Sequence, residues 1–574
     1  MAETLISPGV LARENDQSLV TAQPLTRGAA IIGPTVKGPV ERPTYVSSFS
    51  SFQAIFGGAL ESGSNSYSYL TSIAANNYFS SGGSSLLVTR VTSGSFSSAE
   101  SSLIATGSGG PTSGDSPFVL ETISEGEIMN TGTTELASGS LESGSADNIR
   151  WEIASANTSS GTFSLLIRRG NDNNNQKVVL ESYNNLSLDP FSPNYISRVI
   201  GDMSTDVVTR DGDTFLQESG NYPNISSYVR VKEVNFNTPH YFDNAGFAKD
   251  NFTGSLPVVG SGSFSGAIGS NNVDSGANNF YENISTQTQG LESDDYTDAI
   301  QLLANQDDYQ FNVISTPGLT LEDHADSVNL VKNIAISRGD AIYIMDLVSH
   351  DVGISTVIEK ASGVDSSYAA AYWPWLQTID PNTGLSVYVP ASTMIPGVYA
   401  FTDASSDPWF APAGITRGGL GSVLRAERKL TSANRDTLYG ANVNPIATFP
   451  QQGVVVFGQK TLQKAATALD RVNVRRLLIT LKSYISQIAD NLVFEANTIA
   501  TRNNFLTQVN PYLESVQQRQ GLYAFKVVMD ETNNSPDVID RNELIGQIFL
   551  QPTKTAEFII LDFNVLPTGA TFPA

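Results

Sequence analysis

The sequence predicts a multidomain α+β protein: an α/β core, a C-terminal α/β domain, a β-rich insertion and extended terminal arms. Three observations predict it. Around 291–350 apolar runs of strand and helix period alternate, which is the pattern of a βαβ unit. Between 93 and 290 the composition turns to Ser, Gly, Asn and Thr, with short alternating runs among turn clusters. The last third carries the most regular apolar periodicity of the chain, with three strand candidates after it.

In chain order, residues 1–22 read as an extended arm, because Pro8-Gly9 breaks any helix and the residues after it are polar and aperiodic. The core opens at Gly28-Ala29-Ala30-Ile31-Ile32-Gly33-Pro34, a short buried strand ended by a turn, with a second strand at Leu86–Val91. The insertion, 93–290, shows runs such as Trp151–Ala154 and Phe163–Ile167 and divides into one or two subdomains. A helix near 295–305 then precedes a strand at Tyr309–Ile314. A second helix begins at Thr320, with Asp323 as an imperfect capping box and Val328, Val331, Ile334 and Ala335 on one face. The strand Ala341–Met345 closes the unit. One long amphipathic helix is expected from Asp470 to about Ala500, another up to Gln520, and strands at 522–529, 543–550 and 556–565. The domain reading is therefore an arm at 1–22, a core of 23–92 plus 291–395, the insertion 93–290, a C-terminal domain 396–552 and a linking strand 553–574.

Composition excludes several functions. The net charge of -24 sets the global field against nucleic acid and against anionic membrane surfaces. With no cysteine, the chain has no disulfide, zinc–thiolate site, iron–sulfur cluster or thiol nucleophile. No run approaches the roughly 20 apolar residues that span a bilayer. The N-terminus lacks the basic and apolar regions of a signal peptide, so no general secretion is expected.

Catalytic signals stay at background. His240, His324 and His350 are scattered, without metal-ligand spacing. The best enzymatic set is Asp346, His350 and Asp351 past a strand end, but a capped turn with a solvated histidine is the simpler reading. Gly418-Gly419-Leu420-Gly421 lacks the Lys-Ser or Lys-Thr of a phosphate loop and reads as a surface turn. Trp373 and Trp375 read as packing, and Trp151 with the loop tyrosines would permit a glycan-binding insertion without specifying one. No enzyme, no metal and no cofactor are expected.

Charge is distributed unevenly. Residues 417–554 hold 16 Lys and Arg against 11 Asp and Glu, a net of +5, leaving -29 elsewhere. A basic segment on an acidic chain implies an acidic partner surface, with intrachain pairs such as Arg471 with the Asp470 region as the plainer reading. Lys460, Lys464, Arg471, Arg475, Arg476 and Lys482 are the candidates.

Several blocks in order then become recognisable: Trp409-Phe410-Ala411-Pro412-Ala413-Gly414, Arg417-Gly418, Asn444-Pro445-Ile446 and Gly453–Thr461. After them come Arg471–Leu477, Phe494-Glu495-Ala496-Asn497 and Ala556–Leu561. This series, with Ser7-Pro8-Gly9-Val10 near the start, resembles contractile phage tail sheath proteins of the large myophage type. The resemblance implies an α/β sheath core with an inner C-terminal domain, and an insertion on the outside. It implies a subunit that polymerises as six-fold rings stacked helically around a tail tube and contracts to drive the tube through the host envelope. Expected partners are further copies, the tail tube protein, the baseplate and the tail terminator, with no direct nucleic-acid binding and no membrane insertion. The expected location is the virion after assembly in the host cytoplasm. A phage-derived injection system or bacteriocin is the alternative. Ser7, Pro8, Gly9, Val10, Phe558, Ile559, Ile560 and Leu561 are the residues the resemblance assigns to strand exchange between subunits. An apolar terminal strand left unpaired would aggregate, so pairing also makes physical sense.

Overall fold

Gly28–Gly33 is buried along its whole length, which a strand achieves only with neighbours on both edges and cover on both faces. It lies inside an eight-stranded sheet ordered Thr44–Val46, Leu86–Arg90, Gly28–Gly33, Phe311–Thr320, Ile342–Asp346, Ala369–Trp373, Val443–Phe449, Gly453–Val456. The six inner strands run parallel, and the two outermost are antiparallel to their neighbours. The computed structural model describes residues 27–557 except 63–64, 108–114, 131–133 and 272–279.

Alternation along the strands divides the core in two. Ala29, Ile31, Val88, Val313 and Ile344 meet the helices Leu70–Ser80 and Ile395–Ser405 on one face. Ala30, Ile32, Ile314, Tyr343 and Met345 meet Thr297–Leu302 and Ala325–Arg338 on the other. The expected βαβ unit is present with shifted ends. Its first strand runs ten residues to Thr320, so Thr320 and Asp323 form a turn (Asp323 N to Thr320 Oγ1, 3.3 Å) ahead of a helix that starts at Ala325. That helix stops at Gly339, whose φ of 68° is cheap only for glycine.

The expected cut at 395/396 falls inside this sheet, because Val443–Phe449 and Gly453–Val456 are two of its strands. Parallel pairing joins segments far apart in sequence, so local pattern carries no trace of it. Gly418 and Leu420 cover the last strand through Val456 N to Gly418 O (2.8 Å) and Leu420 N to Val454 O (2.9 Å). The supposed surface turn is thus edge protection.

The insertion folds on its own core. Seven antiparallel strands, ordered Val179–Ser187, Thr162–Arg169, Ile149–Asn157, Gly260–Ser265, Ser98–Ser101, Phe118–Glu125, Val229–Val234, bury Phe118, Leu120, Trp151, Ile153, Phe163 and Leu165. Arg168 and Asp172, both buried, form a two-pronged ion pair at 2.8 Å, and Glu152 adds a further bond. A hairpin, Ser204–Arg210 with Asp213–Ser219, leaves this sheet and returns to the core. Its Leu216 packs on the second core face and Thr214 bonds Gln301 at 3.0 Å.

The C-terminal unit is an antiparallel helix pair, Val472–Asp490 and Ile499–Gln518, sealed by a hairpin of Leu522–Val528 with Gln547–Pro552. The single helix expected over 470–500 is broken. Apolar spacing runs on through Leu492 and Ala496, but Phe494 takes φ 72° and Thr498 caps a new helix by accepting from Thr501 N. The strand expected at 543–550 forms at Gln547–Pro552, and most of the one at 556–565 lies outside the described residues.

Asp346 ends an inner strand and accepts from the backbone N–H (3.1 Å) and hydroxyl of buried Ser392, stapling the Ala391–Thr393 turn to the sheet. Burial pushes its carboxyl up to about 7, with Ser392 pulling the other way. Between its unfolded value near 3.8 and about 7, the native state holds the extra proton, so stability falls as pH rises through that window. Asp346→Asn is expected to remove this slope. Its melting temperature should rise relative to the parent from pH 4 to 7, read by calorimetry.

Candidate functional site

The described residues begin and end at two charged anchorages. At the C-terminal anchorage, Arg471 precedes the helix Val472–Asp490 and lies beside Lys460 through an isolated bridge. Its guanidinium reaches Glu557 with Nε at 2.7 Å and Nη2 at 3.0 Å, while Asp470 sits 2.9 Å from Nη1. Tyr439 donates to the same carboxylate at 2.9 Å and Gln459 at 3.1 Å, and Gln459 also bonds Thr555 at 2.6 Å. Burial works to raise the Glu557 pKa, but these donors outweigh it and hold the carboxyl below its ordinary range.

At the N-terminal anchorage, Arg27 reaches Asp340 at 3.1 Å. Asp340 is fixed by Arg338, whose Nε and Nη2 each lie 3.0 Å from it. Arg338 also donates to the carbonyls of Leu303, Asn305 and Tyr309 and lies 4.2 Å over the Phe311 ring. Both ends of the described chain thus rest on charge-assisted bonds to the core, stronger than neutral ones and directional.

The basic candidates separate under this geometry. Arg475 and Arg476 are buried and so offer no cationic surface. Arg475 lies 3.9 Å over Tyr368 and bonds Ser367; Arg476 binds Asp403 at 2.6 Å and lies 4.6 Å over Tyr399. The first turns of their helix are enclosed on all sides, and a charge there needs a partner within the fold. Arg471 is held by Glu557 and Asp470. Lys460 is half-buried, donating to the Tyr439 carbonyl at 2.8 Å; burial first, then Arg471, lowers its pKa. Lys464 and Lys482 remain exposed. The strand-exchange candidates Ser7, Pro8, Gly9, Val10, Phe558, Ile559, Ile560 and Leu561 lie outside the described residues.

Gln459 and Glu557 lie within blocks that carry the resemblance, but neither they nor Tyr439 showed a pairing role there, since single polar residues in irregular segments have no period. The two-stranded sheet Leu522–Val528/Gln547–Pro552 has no third strand among the described residues. Tyr523 and Phe549 stand exposed on it.

Other candidates are absorbed by packing. Asp346 is the staple described above, and Asp351 N donates to Glu427 at 2.8 Å. His350 is not solvated as expected but half-buried against Trp375 and Tyr388. Trp373 and Trp375 are buried, as is Trp151, which offers no ring to a glycan. Among the described residues no group of His, Asp or Glu could hold a metal ion, and no helix is long and apolar enough to cross a membrane.

Residues 289–462 match the phage tail sheath protein central domain, and residues 464–566 the phage tail sheath C-terminal domain. The tail sheath protein of Vibrio phage KVP40 is 41% identical over 209 residues, 36% of this chain and 31% of that protein. That of Enterobacteria phage T4 is 34% identical over 227 residues, 40% of this chain and 34% of that one. The chain thus spans about a third of the length of these relatives. The sheath tail protein of Listeria innocua superposes with a TM-score of 0.51 over 93% of this chain and 96% of its own, at 10% identity, which shows a shared fold.

The C-terminal anchorage is expected to depend on the ionised carboxylate. Its contribution is fully present above the ordinary value of 4.5 and is lost as pH falls through the lower native value. Glu557→Gln should cost about 1–3 kcal/mol locally, seen as faster amide exchange over 553–557 at pH 7. Equal exchange in parent and variant would show that the ion pair does not hold this segment.

Proposed function

We propose that this chain, which resembles contractile phage tail sheath proteins through its central and C-terminal domains, is the structural subunit of a contractile tail sheath. The observation that carries the reading is the run of two sheath domains in order over residues 289–566. Subunits would stack as six-fold rings around a tail tube, meeting the baseplate at one end and the tail terminator at the other. The assembly belongs to the virion and forms in the host cytoplasm.

In this reading the terminal segments link each subunit to its neighbours by strand addition. The hairpin Leu522–Val528/Gln547–Pro552 supplies open edges to receive them. A link is only as strong as its root, and the bonds at Arg27 and Glu557 supply that root at each end. Subunits tied this way can turn and slide without separating.

Contraction needs no nucleotide. The extended lattice is metastable, and a trigger at the baseplate removes the barrier to a better-packed one. About 1 kcal/mol per subunit, from roughly 40 Å² of extra apolar burial, sums over a long tail to a large output of work. The insertion, with 22 Asp and Glu against 9 Lys and Arg over 93–290, a net of -13, faces outward and keeps filaments apart by repulsion. Lys464 and Lys482, the exposed cations of the candidate set, are the ones left to face the tube or a neighbour.

Negative-stain microscopy of the full chain, alone and with tail tubes, tests the reading: hollow striated tubes are expected. Deleting residues 1–20 or 558–574, the latter leaving Glu557 in place, should give a soluble subunit that does not polymerise. Parent-like filaments from either truncation would sink the linking role of that arm.

A further inference from the structure

Among the described residues Phe494 is the most exposed large apolar side chain. It stands at the turn between the two long helices, with Val493 and Ile499 each 60% exposed beside it. Its φ of 72° lies in the left-handed region, which disfavours any residue with a Cβ. No described side chain covers the ring or offsets that strain. Glu495, next to it, is exposed and has no cationic partner among the described residues.

The described residues also form a groove of matching size. Beside the Glu557 anchorage, a groove of about 340 Å³ is walled by Ala413, Tyr439, Pro445 and Phe457. That volume accommodates one aromatic ring. Phe457, on the groove wall, is 45% exposed although it is a large apolar side chain. Arg435 and Asp436 stand at the rim. Arg435 lies over the Phe449 and Phe457 rings at 5.4 and 5.7 Å and makes a weak bond to the Leu430 carbonyl. It takes part in none of the ion pairs among the described residues.

Knob and groove cannot meet within one subunit. The groove adjoins Arg471 and Glu557 at the start of the helix Val472–Asp490, and Phe494 comes after that helix's far end. Nineteen residues at 1.5 Å each hold them roughly 28 Å apart on a rigid rod. A contact between two different patches on identical chains, made once per pair, is head-to-tail and builds rings or open filaments.

We propose that the Phe494 knob of one copy seats in the groove of a second copy, with Glu495 pairing to Arg435 at its rim. The inference rests on the reading of the chain as a self-assembling subunit and names a side-chain contact separate from the terminal arms. Seating would bury an aromatic ring, join two unpaired charges and offset the strain of the turn.

The absence of cysteine makes the test clean. Full-length F494C and F457C variants, mixed under tail-tube assembly conditions and oxidised, are expected to give a cross-linked pair that neither gives alone. Adding Glu495→Arg to the first variant should slow cross-linking at least tenfold, and Arg435→Glu in the second should restore it. No cross-link above the single-variant controls overturns the proposal. So does an intrachain disulfide in the F457C/F558C double variant, because the tail would then fill the groove. Micrographs of the same samples separate the two readings: filaments without the cross-link remove only the knob contact, whereas no filaments on tail tubes remove the sheath reading as well.

Discussion

A parallel sheet buried on both faces is the constraint on which the rest depends. Its strands have no solvent to satisfy their backbone, so each must find two neighbours and two layers of cover. Here Gly28–Gly33 takes Leu86–Arg90 on one edge and Phe311–Thr320 on the other. The chain between those two partners includes the whole insertion. The insertion must therefore leave and re-enter the core within two strand spacings, which a separately folded β domain with its own core can do. Everything outside the sheet is hung from it: the insertion near one edge, the helix pair and hairpin beyond its last strands.

The legible part of the sequence was the part governed by local physics. The βαβ alternation around 309–345, the buried run at Ala29–Ile32 and the amphipathic stripe beginning at Val474 all became elements, because periodicity reports burial directly. Element ends were less legible. The helix expected to run to Ala500 stops at Asp490, since Leu492 and Ala496 keep helical spacing through a turn that Thr498 and a left-handed Phe494 impose. Sheet membership was not legible at all: nothing near Val443–Phe449 announces that it pairs with Ala369–Trp373.

Charge was legible as a bias and illegible as a surface. The excess of basic residues over 417–554 is real, yet Arg475 and Arg476 spend their charge inside, on Tyr368, Asp403 and Tyr399. A count of cations cannot distinguish a guanidinium that holds two helices together from an ammonium in water. Arg471 is instructive, since its sequence neighbour Asp470 is a partner as expected, but the dominant one, Glu557, lies 86 residues away. Long-range ion pairs of this kind emerge only once the backbone is placed.

The hairpin Ser204–Arg210/Asp213–Ser219 leaves the insertion and fastens onto the helix Thr297–Leu302 through Leu216 and the bond between Thr214 and Gln301. Arg42 with Glu125 and Lys37 with Asp147 already tie the core to the insertion near its first strands, and the hairpin adds a second, separate brace, as an outrigger does. A rotation of the core would then carry the insertion with it as one body, with little lost at the junction.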